Sequence, residues 1–284
     1  MSMNNENYDT LVLPGGGVKG FIILGALQAL KDFNFLQNLT KFVGTSIGSA
    51  ISYLLILGYT PIEIVLTIYK HGWLEKTHNY NLVSLINGEG ATSFDFITKI
   101  LETMTLEKCG KFFTLLTLKE QLNKTLICVT YNMTQCKTEY LSYENYPDLP
   151  CLTAIRMSCN IPLIFDRFKY MDSYYIDGGF TDNFPVLHGE KVGEKVLAIQ
   201  LTIQENSLKD IPEDGIQQYF FRLLQIPIVN FTNYRLELAT AKSRIFQFNS
   251  GELKTAVKFH VSSKERLDMF SIGYENVKNS CEKI

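Results

Sequence analysis

Short apolar runs bounded by glycine, proline or polar residues alternate with longer apolar stretches along this chain of 284 residues. A short apolar run that ends at turn residues is typical of a buried strand, and apolar positions every three to four residues are typical of a helix. The pattern predicts strands at Thr10–Leu13, Lys41–Val43, Leu126–Tyr131, Thr138–Leu141, Tyr174–Ile176, Lys195–Ile203 and Ile245–Phe248. Strands alternating with helices indicate α/β layers around a mainly parallel sheet.

Helices are predicted between these strands, several of them with recognisable end signals. The pattern predicts helices over Val18–Leu30, from the residues after Gly48 to Leu57, and over Pro61–Tyr69, Ser93–Met104, Pro150–Ser158 and Ile216–Lys242, the last interrupted at Pro227. Capping boxes, in which a hydroxyl and a carboxylate three residues apart satisfy the first backbone N–H groups, predict further helices opening at Thr117 and at Ser262. The segment from His71 to Ala91 is rich in Asn and Gly and predicts a loop.

Composition places the chain among globular proteins. Hydrophobic residues make up 46% and charged residues 20%, which excludes disordered, collagen-like and coiled-coil classes. The 27 basic and 29 acidic residues give a net charge of −2, so we expect no nucleic-acid partner. No repeat or linker divides the chain, and we expect a single domain over residues 1–284, with a motif-bearing core at about 11–186 and residues 187–284 completing the fold.

The sequence also predicts where the protein resides. Its first ten residues are polar and lack the basic and apolar regions of a signal peptide, and its six cysteines form no CxxC pair. The uncharged stretch Phe42–Ile62 is long enough to cross a bilayer, but glycine and hydroxyl residues interrupt it, which favours a buried strand, turn and helix. We expect an intracellular, cytoplasmic protein without a transmembrane segment, its thiols reduced.

A glycine-rich loop between the first strand and the first helix is the first of three motifs. It reads Gly15-Gly16-Gly17-Val18-Lys19-Gly20. Without side chains, its backbone N–H groups can converge on a negatively charged atom at the start of a helix. The same letters fit a dinucleotide-binding loop, but Phe33–Ile62 contains no acidic residue to hold a ribose, which argues against a nucleotide. A plain tight turn is the remaining alternative.

The other two motifs carry a hydroxyl and a carboxylate. The second is Gly44-Thr45-Ser46-Ile47-Gly48, and the third is Asp177-Gly178-Gly179. A serine between a strand and a helix, flanked by glycines, is typical of a strained turn that exposes a nucleophilic hydroxyl. Taken alone, the Asp-Gly-Gly sequence is more typical of a turn between strands. Beside a nucleophilic serine, however, its aspartate can serve as the base.

The ordered set GGGVKG, GTSIG and DGGFTDNFP resembles the patatin-like phospholipase family, which is related to cytosolic phospholipase A2. The similarity runs from about Leu11 to Val186 and includes the stretch Ser158–Phe165. The resemblance implies a three-layer α/β/α fold and hydrolysis of acyl esters in phospholipids or other acyl lipids, without a metal or other cofactor. It also implies roles for individual residues: Ser46 as nucleophile, Asp177 as base, and Gly15, Gly16 and Gly17 as oxyanion donors.

Several alternatives stay open on the sequence alone. Lys19 is interpreted as local positive charge for the substrate, although an exposed lysine fits almost as well. A Ser-His-Asp esterase using His188 or His260 is the nearest rival, because the order Ser, Asp, His matches α/β-hydrolases. A lipid-binding module without turnover is another. Four carboxylates, Asp166, Asp172, Asp177 and Asp182, lack the spacing of a calcium loop, so we predict no metal.

The last expectation concerns membrane contact. With a net charge of −2 and no basic cluster, attraction to anionic bilayers should be weak, so docking would rely on apolar surface. The apolar segment Ile216–Phe231 contains Tyr219, Phe220, Phe221, Leu223, Leu224, Ile226, Ile228, Val229 and Phe231, with Arg222 as its one charge. Burial of this helix against the sheet is the favoured interpretation, since most apolar helices belong to a core. Docking to a lipid surface is the alternative.

Overall fold

A computed structural model describes residues 7–71, 92–202, 216–249 and 261–282, with the backbone alone for residues 216–222 and 224. Its strands are β1 (Thr10–Leu13), β2 (Lys41–Thr45), β3 (Thr125–Asn132), β4 (Lys137–Leu141), β5 (Phe168–Tyr170), β6 (Ser173–Asp177), β7 (Val196–Thr202) and β8 (Ser243–Asn249). Five of them, in the order β3-β2-β1-β7-β8, run parallel, and β4, β5 and β6 add antiparallel pairs.

Helices cover both faces of this mixed, mostly parallel sheet. They are α1 (Gly20–Asp32), α2 (Ile47–Ile56), α3 (Pro61–Lys70), α4 (Asp95–Cys109), α5 (Leu115–Leu122), α6 (Cys151–Ser158), α7 (Gly179–Asp182), α8 (Val186–Val192), α9 (Ile216–Leu238) and α10 (Ser263–Glu282). A 3₁₀ turn, Gly17–Lys19, precedes α1. The expected three-layer α/β/α arrangement is confirmed.

Apolar side chains alternate between the two faces of the sheet along each strand, which explains why helices pack on both faces. In β1, Leu11 and Leu13 join the larger core beneath α1 and α2, while Val12 joins a smaller core beneath α8 and α9. Neighbouring strands follow the same period of two, as successive side chains of a strand point to opposite faces. The sheet is therefore apolar on both sides, which accounts for the short uninterrupted apolar runs in the sequence.

The pairing around β3 brings two distant parts of the chain to one place. Along one edge, β3 pairs with β4, for example Thr130 with Glu139. Its other edge pairs first with β2 and then, at Thr130–Asn132, with β6. The end of β2 and the end of β6 therefore meet on the same edge, where Thr45 is paired with Val129 and Asp177 with Thr130.

Some boundaries differ from the sequence-based predictions. The capping box expected at Thr117 is wrong, because α5 begins at Leu115 and the hydroxyl of Thr114 accepts from the N–H of Thr117. The interruption expected at Pro227 is also wrong, since α9 continues through it. β5, α7 and α8 were not predicted, because each is at most seven residues long and too short for a period to show. The loop predicted at His71–Ala91 lies almost wholly outside the described residues.

The capping box predicted at Ser262 is confirmed. Its backbone N–H donates to Glu265 Oε2 at 2.7 Å, and the N–H of Glu265 donates to Ser262 Oγ at 3.2 Å. Among the described helices, none is by itself long and apolar enough to cross a membrane. In the part of the chain that the structure describes, α2 and α3 taken together reach that length and composition, but they are bent by 106° at the break between them.

Candidate active site

Ser46 occupies the turn between β2 and α2. Its backbone has φ 53° and ψ −127°, a left-handed conformation that a non-glycine residue adopts only under strain. The turn brings α2 close to β1: a Cβ on Gly48 would lie 2.6 Å from the carbonyl oxygen of Leu13, so no side chain fits there. The strand, strained serine and helix predicted from the glycine spacing are all present.

Asp177, the last residue of β6, accepts a hydrogen bond from Ser46. The distance from Ser46 Oγ to Asp177 Oδ2 is 2.5 Å, and the N–H of Gly179 donates to Asp177 Oδ1 at 2.7 Å. Only 6% of Ser46 and 4% of Asp177 is exposed. Burial raises the pKa of Asp177 from its ordinary 3.8 to about 6, although the hydrogen bonds from Ser46 and Gly179 oppose the rise. The pair is a hydroxyl beside a carboxylate of raised basicity.

Further polar residues, not predicted from the sequence, hold this pair in place. The N–H of Ser46 donates to Ser158 Oγ at 2.9 Å, and the Ser158 hydroxyl donates to the carbonyl oxygen of Val129 at 2.6 Å. Asn160 accepts from the N–H of Asp177 through its carbonyl oxygen at 2.9 Å. Ser158 and Asn160 belong to the stretch that carried part of the family resemblance, but no local pattern reveals which strand they meet.

The glycine loop lies beside the hydroxyl of Ser46. Gly15 is not available as an oxyanion donor, because its N–H already donates to the carbonyl oxygen of Asn183 at 3.1 Å. For the N–H groups of Gly16 and Gly17, no acceptor is present within the described part of the chain. Gly17, at φ 54°, lines the same cavity as Ser46. The loop therefore offers two backbone donors rather than three.

Lys19 differs from both sequence-based interpretations. It is buried, not exposed, and it is not among the residues that line the cavity containing Ser46. Burial lowers the pKa of its ammonium from 10.5 to about 8. The side chain is part of the protein interior and does not border the cavity at Ser46.

An apolar cavity of about 190 Å³ opens at Ser46. From Gly17 and Ser46 it extends along α1 and α2 as far as Leu24 and Leu54, two helical turns further on. Helices α3 and α4 close its sides with Ile64, Ile68, Phe96, Ile97, Ile100, Leu101 and Met104. Such a shape and lining suit a hydrocarbon chain whose polar end remains at the hydroxyl.

His188 does not join Ser46 and Asp177. Its ring stacks on Tyr140 at 3.8 Å between centroids, in a polar groove that also contains Lys41 and Lys191. Burial lowers the pKa of the imidazole to about 4. The triad that would use His188 is therefore not formed in this structure, and His260 lies outside the described residues.

Comparison with known proteins now bears on this geometry. The model of the family described as "Patatin-like phospholipase" matches residues 11–188, close to the core predicted from the motifs. A probable lipid hydrolase of Invertebrate iridescent virus 6 is 34% identical over 271 residues, which cover 90% of each chain. The chain belongs to the patatin-like phospholipase family. An uncharacterized protein of Acanthamoeba polyphaga mimivirus is 26% identical over 301 residues, covering 99% of this chain and 96% of its own.

Solved structures share the patatin-like fold. VipD from Legionella pneumophila has a TM-score of 0.58 at 18% identity, over 98% of this chain and 67% of its own. Human GIVD cytosolic phospholipase A2 has a TM-score of 0.50 at 11% identity, over all of this chain and 60% of its own. At such identities the likeness concerns the fold alone.

Of the other carboxylates in the set Asp166, Asp172, Asp177 and Asp182, Asp182 is paired with the cation of Arg235 in this patatin-like protein. The Asp182 carboxylate accepts a hydrogen bond from Arg235 Nε at 2.5 Å and another from the Tyr140 hydroxyl at 2.6 Å. Over the described ranges, no three His, Cys, Asp or Glu side chains group as metal ligands would.

Proposed function

We propose that the protein is a lipid acyl hydrolase of the phospholipase A2 or lysophospholipase type, with Ser46 as nucleophile and Asp177 as base. The observation that carries the proposal is the 2.5 Å hydrogen bond between Ser46 Oγ and Asp177 Oδ2, buried at the opening of an apolar cavity. Family membership and the name of the viral relative, a probable lipid hydrolase, support the same substrate class.

The chemistry is acyl transfer in two steps. Asp177 takes the proton of Ser46 while the oxygen attacks the ester carbonyl, and the alcohol leaves with a proton to give an acyl-serine. Water, activated by the same carboxylate, then releases the fatty acid. A carboxylate of ordinary pKa is a poor base for a serine, and the raised pKa of Asp177 narrows the difference. The dipole of α2, which begins directly after Ser46, favours the developing negative charge.

Gly16 and Gly17 are the oxyanion donors in this proposal. Both N–H groups lack an acceptor within the described chain, and Gly17 borders the cavity at Ser46. A preorganised donor of this kind stabilises a tetrahedral oxyanion by about 3 kcal/mol. Gly15, which the sequence also suggested as a donor, is left out because its N–H already donates to the carbonyl oxygen of Asn183.

Contact with a membrane surface through α9 is part of the proposal. Leu223, Ile226 and Phe231 are 44–50% exposed, so burial in the core, the interpretation favoured from the sequence, is wrong for these three. Tyr234 and Leu238 are exposed as well and fall within the same face of the helix at 100° per residue. An apolar stripe on a helix of a protein with net charge −2 suits hydrophobic docking to a bilayer.

A fluorophosphonate probe with an alkyl chain tests the nucleophile. We expect covalent labelling of the wild-type protein and of Ser49→Ala, a nearby serine on α2 that donates to the Ser46 carbonyl. Ser46→Ala should not be labelled, since it lacks the attacking oxygen. Hydrolysis of a soluble short-chain ester should follow the same pattern.

Labelling and hydrolysis assays also separate the two remaining alternatives, a lipid-binding module without turnover and a Ser-His-Asp triad. A lipid-binding module without turnover would bind lipid in all three forms and show neither labelling nor hydrolysis. A triad through His260 would lose hydrolysis in His260→Gln, whereas a Ser-Asp pair would retain it. Labelling that persists in Ser46→Ala would refute the assignment of the nucleophile.

A further inference from the structure

A buried arginine borders the otherwise apolar cavity that contains Ser46. Arg266, on the first turn of α10, is 6% exposed and lies among the cavity residues. Its guanidinium carbon is 5.9 Å from the centre of the Tyr69 ring, and the Tyr69 hydroxyl donates to the carbonyl oxygen of Ser263 at 3.0 Å. The aromatic ring that supports the guanidinium is thus fixed by the same helix turn.

No carboxylate balances this cation within the described residues. None of the ion pairs there includes Arg266, and the neighbouring Glu265 uses Oε2 for the backbone and hydroxyl of Ser262. A guanidinium stays charged at neutral pH, and burying a charge without an anion is costly. A cation–π contact offsets only part of that cost. A bound anion would supply the rest.

The direction of α10 locates Arg266 along the cavity. A Cβ on Gly25 would lie 1.9 Å from the carbonyl oxygen of Phe270, so the two helices touch there. Further along both helices, the Tyr274 hydroxyl donates to Asp32, the last residue of α1, at 3.1 Å. α10 therefore runs in the same direction as α1, and Arg266, one turn before Phe270, lies toward the start of α1. That is the end where Gly17 and Ser46 are found.

We infer that Arg266 is a specificity-determining residue that binds the phosphate of a phospholipid head group while an acyl chain fills the cavity. The inference rests on the proposed function and names the residue that would select its phosphate-bearing substrates over neutral glycerides. The planar guanidinium suits two oxygens of a phosphate, and the apolar surroundings strengthen that contact. Arg266 lies outside the family match at residues 11–188, so the motifs do not assign it.

Binding of lipids that cannot be hydrolysed tests this inference independently of turnover. The two ligands are a dodecyl ether of glycerophosphocholine and the matching dodecyl ether of glycerol, titrated calorimetrically below their micelle concentrations. We expect the wild-type protein to bind the phosphate-bearing ether about tenfold or more tightly than the glycerol ether. Arg266→Gln should bind both equally, and Arg266→Lys should keep part of the difference because it keeps the charge.

Lys264→Gln is the matched control, since it removes an exposed charge two residues away on the same helix. It should retain the full preference, and melting temperatures should show that each variant is folded. Equal binding of both ethers by the wild-type protein would overturn the inference, as would a preference that survives in Arg266→Gln. Inorganic phosphate that competes as well as the lipid would also overturn it, because the site would then recognise free phosphate. Failure of the proposed function would appear separately, as absence of Ser46 labelling with the ether preference intact.

Discussion

Two residues of the candidate site, Ser46 and Asp177, lower the stability of the folded protein. Asp177 is buried with its pKa raised to about 6, and Ser46 has a left-handed backbone. In the unfolded chain the carboxyl of Asp177 has its ordinary pKa near 3.8. The folded state therefore binds that proton more tightly, and stability from this group is highest in acid and is lost as the pH rises from about 4 to about 6. The chain gives up stability to keep a basic carboxylate beside the serine.

Replacing Asp177 by Asn should stabilise the protein while removing its activity. An amide carries no charge to bury, and two pKa units correspond to about 3 kcal/mol in the free energy of unfolding. We expect Asp177→Asn to unfold at higher denaturant than the wild-type protein at pH 7 and at nearly the same denaturant at pH 4. Chemical denaturation over this pH range measures the difference.

Activity provides the second readout for the same variant. The kcat/KM of the wild-type protein should fall about tenfold per pH unit below about 6, because protonated Asp177 cannot take the proton of Ser46. Asp177→Asn should lose at least a thousandfold at every pH. If the variant were less stable than the wild-type protein at pH 7, the desolvation cost assigned to Asp177 would be wrong.

At the scale of elements, α9 combines an anchored end with an exposed apolar stripe. Arg235, near its carboxyl end, donates to Asp182 and to the carbonyl oxygen of Thr181. Leu223, Ile226 and Phe231 project outward from the rest of the helix. The side chains of Phe220 and Phe221, which the sequence suggested for docking, lie outside the described residues. The stripe that the structure describes is the better target for substitution.

Charges on this stripe should separate membrane contact from chemistry. We expect Ile226→Asp combined with Phe231→Asp to lower hydrolysis of phospholipid in vesicles at least tenfold, because a carboxylate resists insertion into the bilayer interface. Hydrolysis of a soluble short-chain ester should stay within twofold. Vesicle and soluble assays on the same preparation make the comparison.

Leu106→Asp combined with Phe112→Asp is the matched control, since these side chains are 46% and 51% exposed but lie on α4 and the segment after it. It should leave both activities unchanged. Equal loss in the two double variants would indicate general destabilisation rather than docking by α9. Unchanged vesicle hydrolysis in the α9 variant would exclude the stripe as the contact surface.

Sequence alone predicts elements well where a local pattern decides them. The glycine spacing around Ser46 and the Asp-Gly-Gly sequence identify the two side chains that the structure joins by a hydrogen bond, because each motif is contained in a few consecutive residues. Ser158 and Arg266 have no such local signal, since their partners are 112 residues away in the first case and on a separate helix in the second. The exposure of α9 also escapes prediction, because an apolar helix has the same pattern whether or not a neighbour covers it.

At the scale of the whole molecule, Asp182 joins the outer helix α9 to the sheet. Its carboxylate accepts hydrogen bonds from Arg235 on α9 and from the hydroxyl of Tyr140 on β4. Its backbone carbonyl oxygen accepts a hydrogen bond from the Thr45 hydroxyl at 2.8 Å. Thr45 directly precedes Ser46. One buried residue thus connects the proposed membrane-contacting helix, the sheet and the turn that carries the proposed nucleophile.

Removing Arg235, the cation that pairs with Asp182, should strongly destabilise the folded protein. Arg235→Met leaves the Asp182 carboxylate, 1% exposed, without its counter-charge, at a cost of about 3 kcal/mol. Burial already raises the pKa of Asp182, and loss of Arg235 raises it further. The cost should therefore shrink as the pH falls and the carboxyl takes up a proton, which denaturation at neutral and acid pH would measure.

A double-mutant cycle gives the control for this junction. Arg235→Met combined with Asp182→Asn should recover much of the stability lost in the single variant, because no buried charge remains unpaired. Additive losses would show that the two side chains act independently of one another.

The meeting of β2 and β6 end to end along one edge of β3 has a consequence for how activity is acquired. Ser46 and Asp177 are 131 residues apart in the chain, and the pairing of β2 and β6 with neighbouring residues of β3 brings them together in space. A slip of one residue would turn the carboxylate to the opposite face of the sheet. Contacts between such distant segments form slowly. In the proposed mechanism, a chain in which β6 has not yet paired with β3 has Ser46 without its base, so hydrolysis would begin only once that pairing has formed.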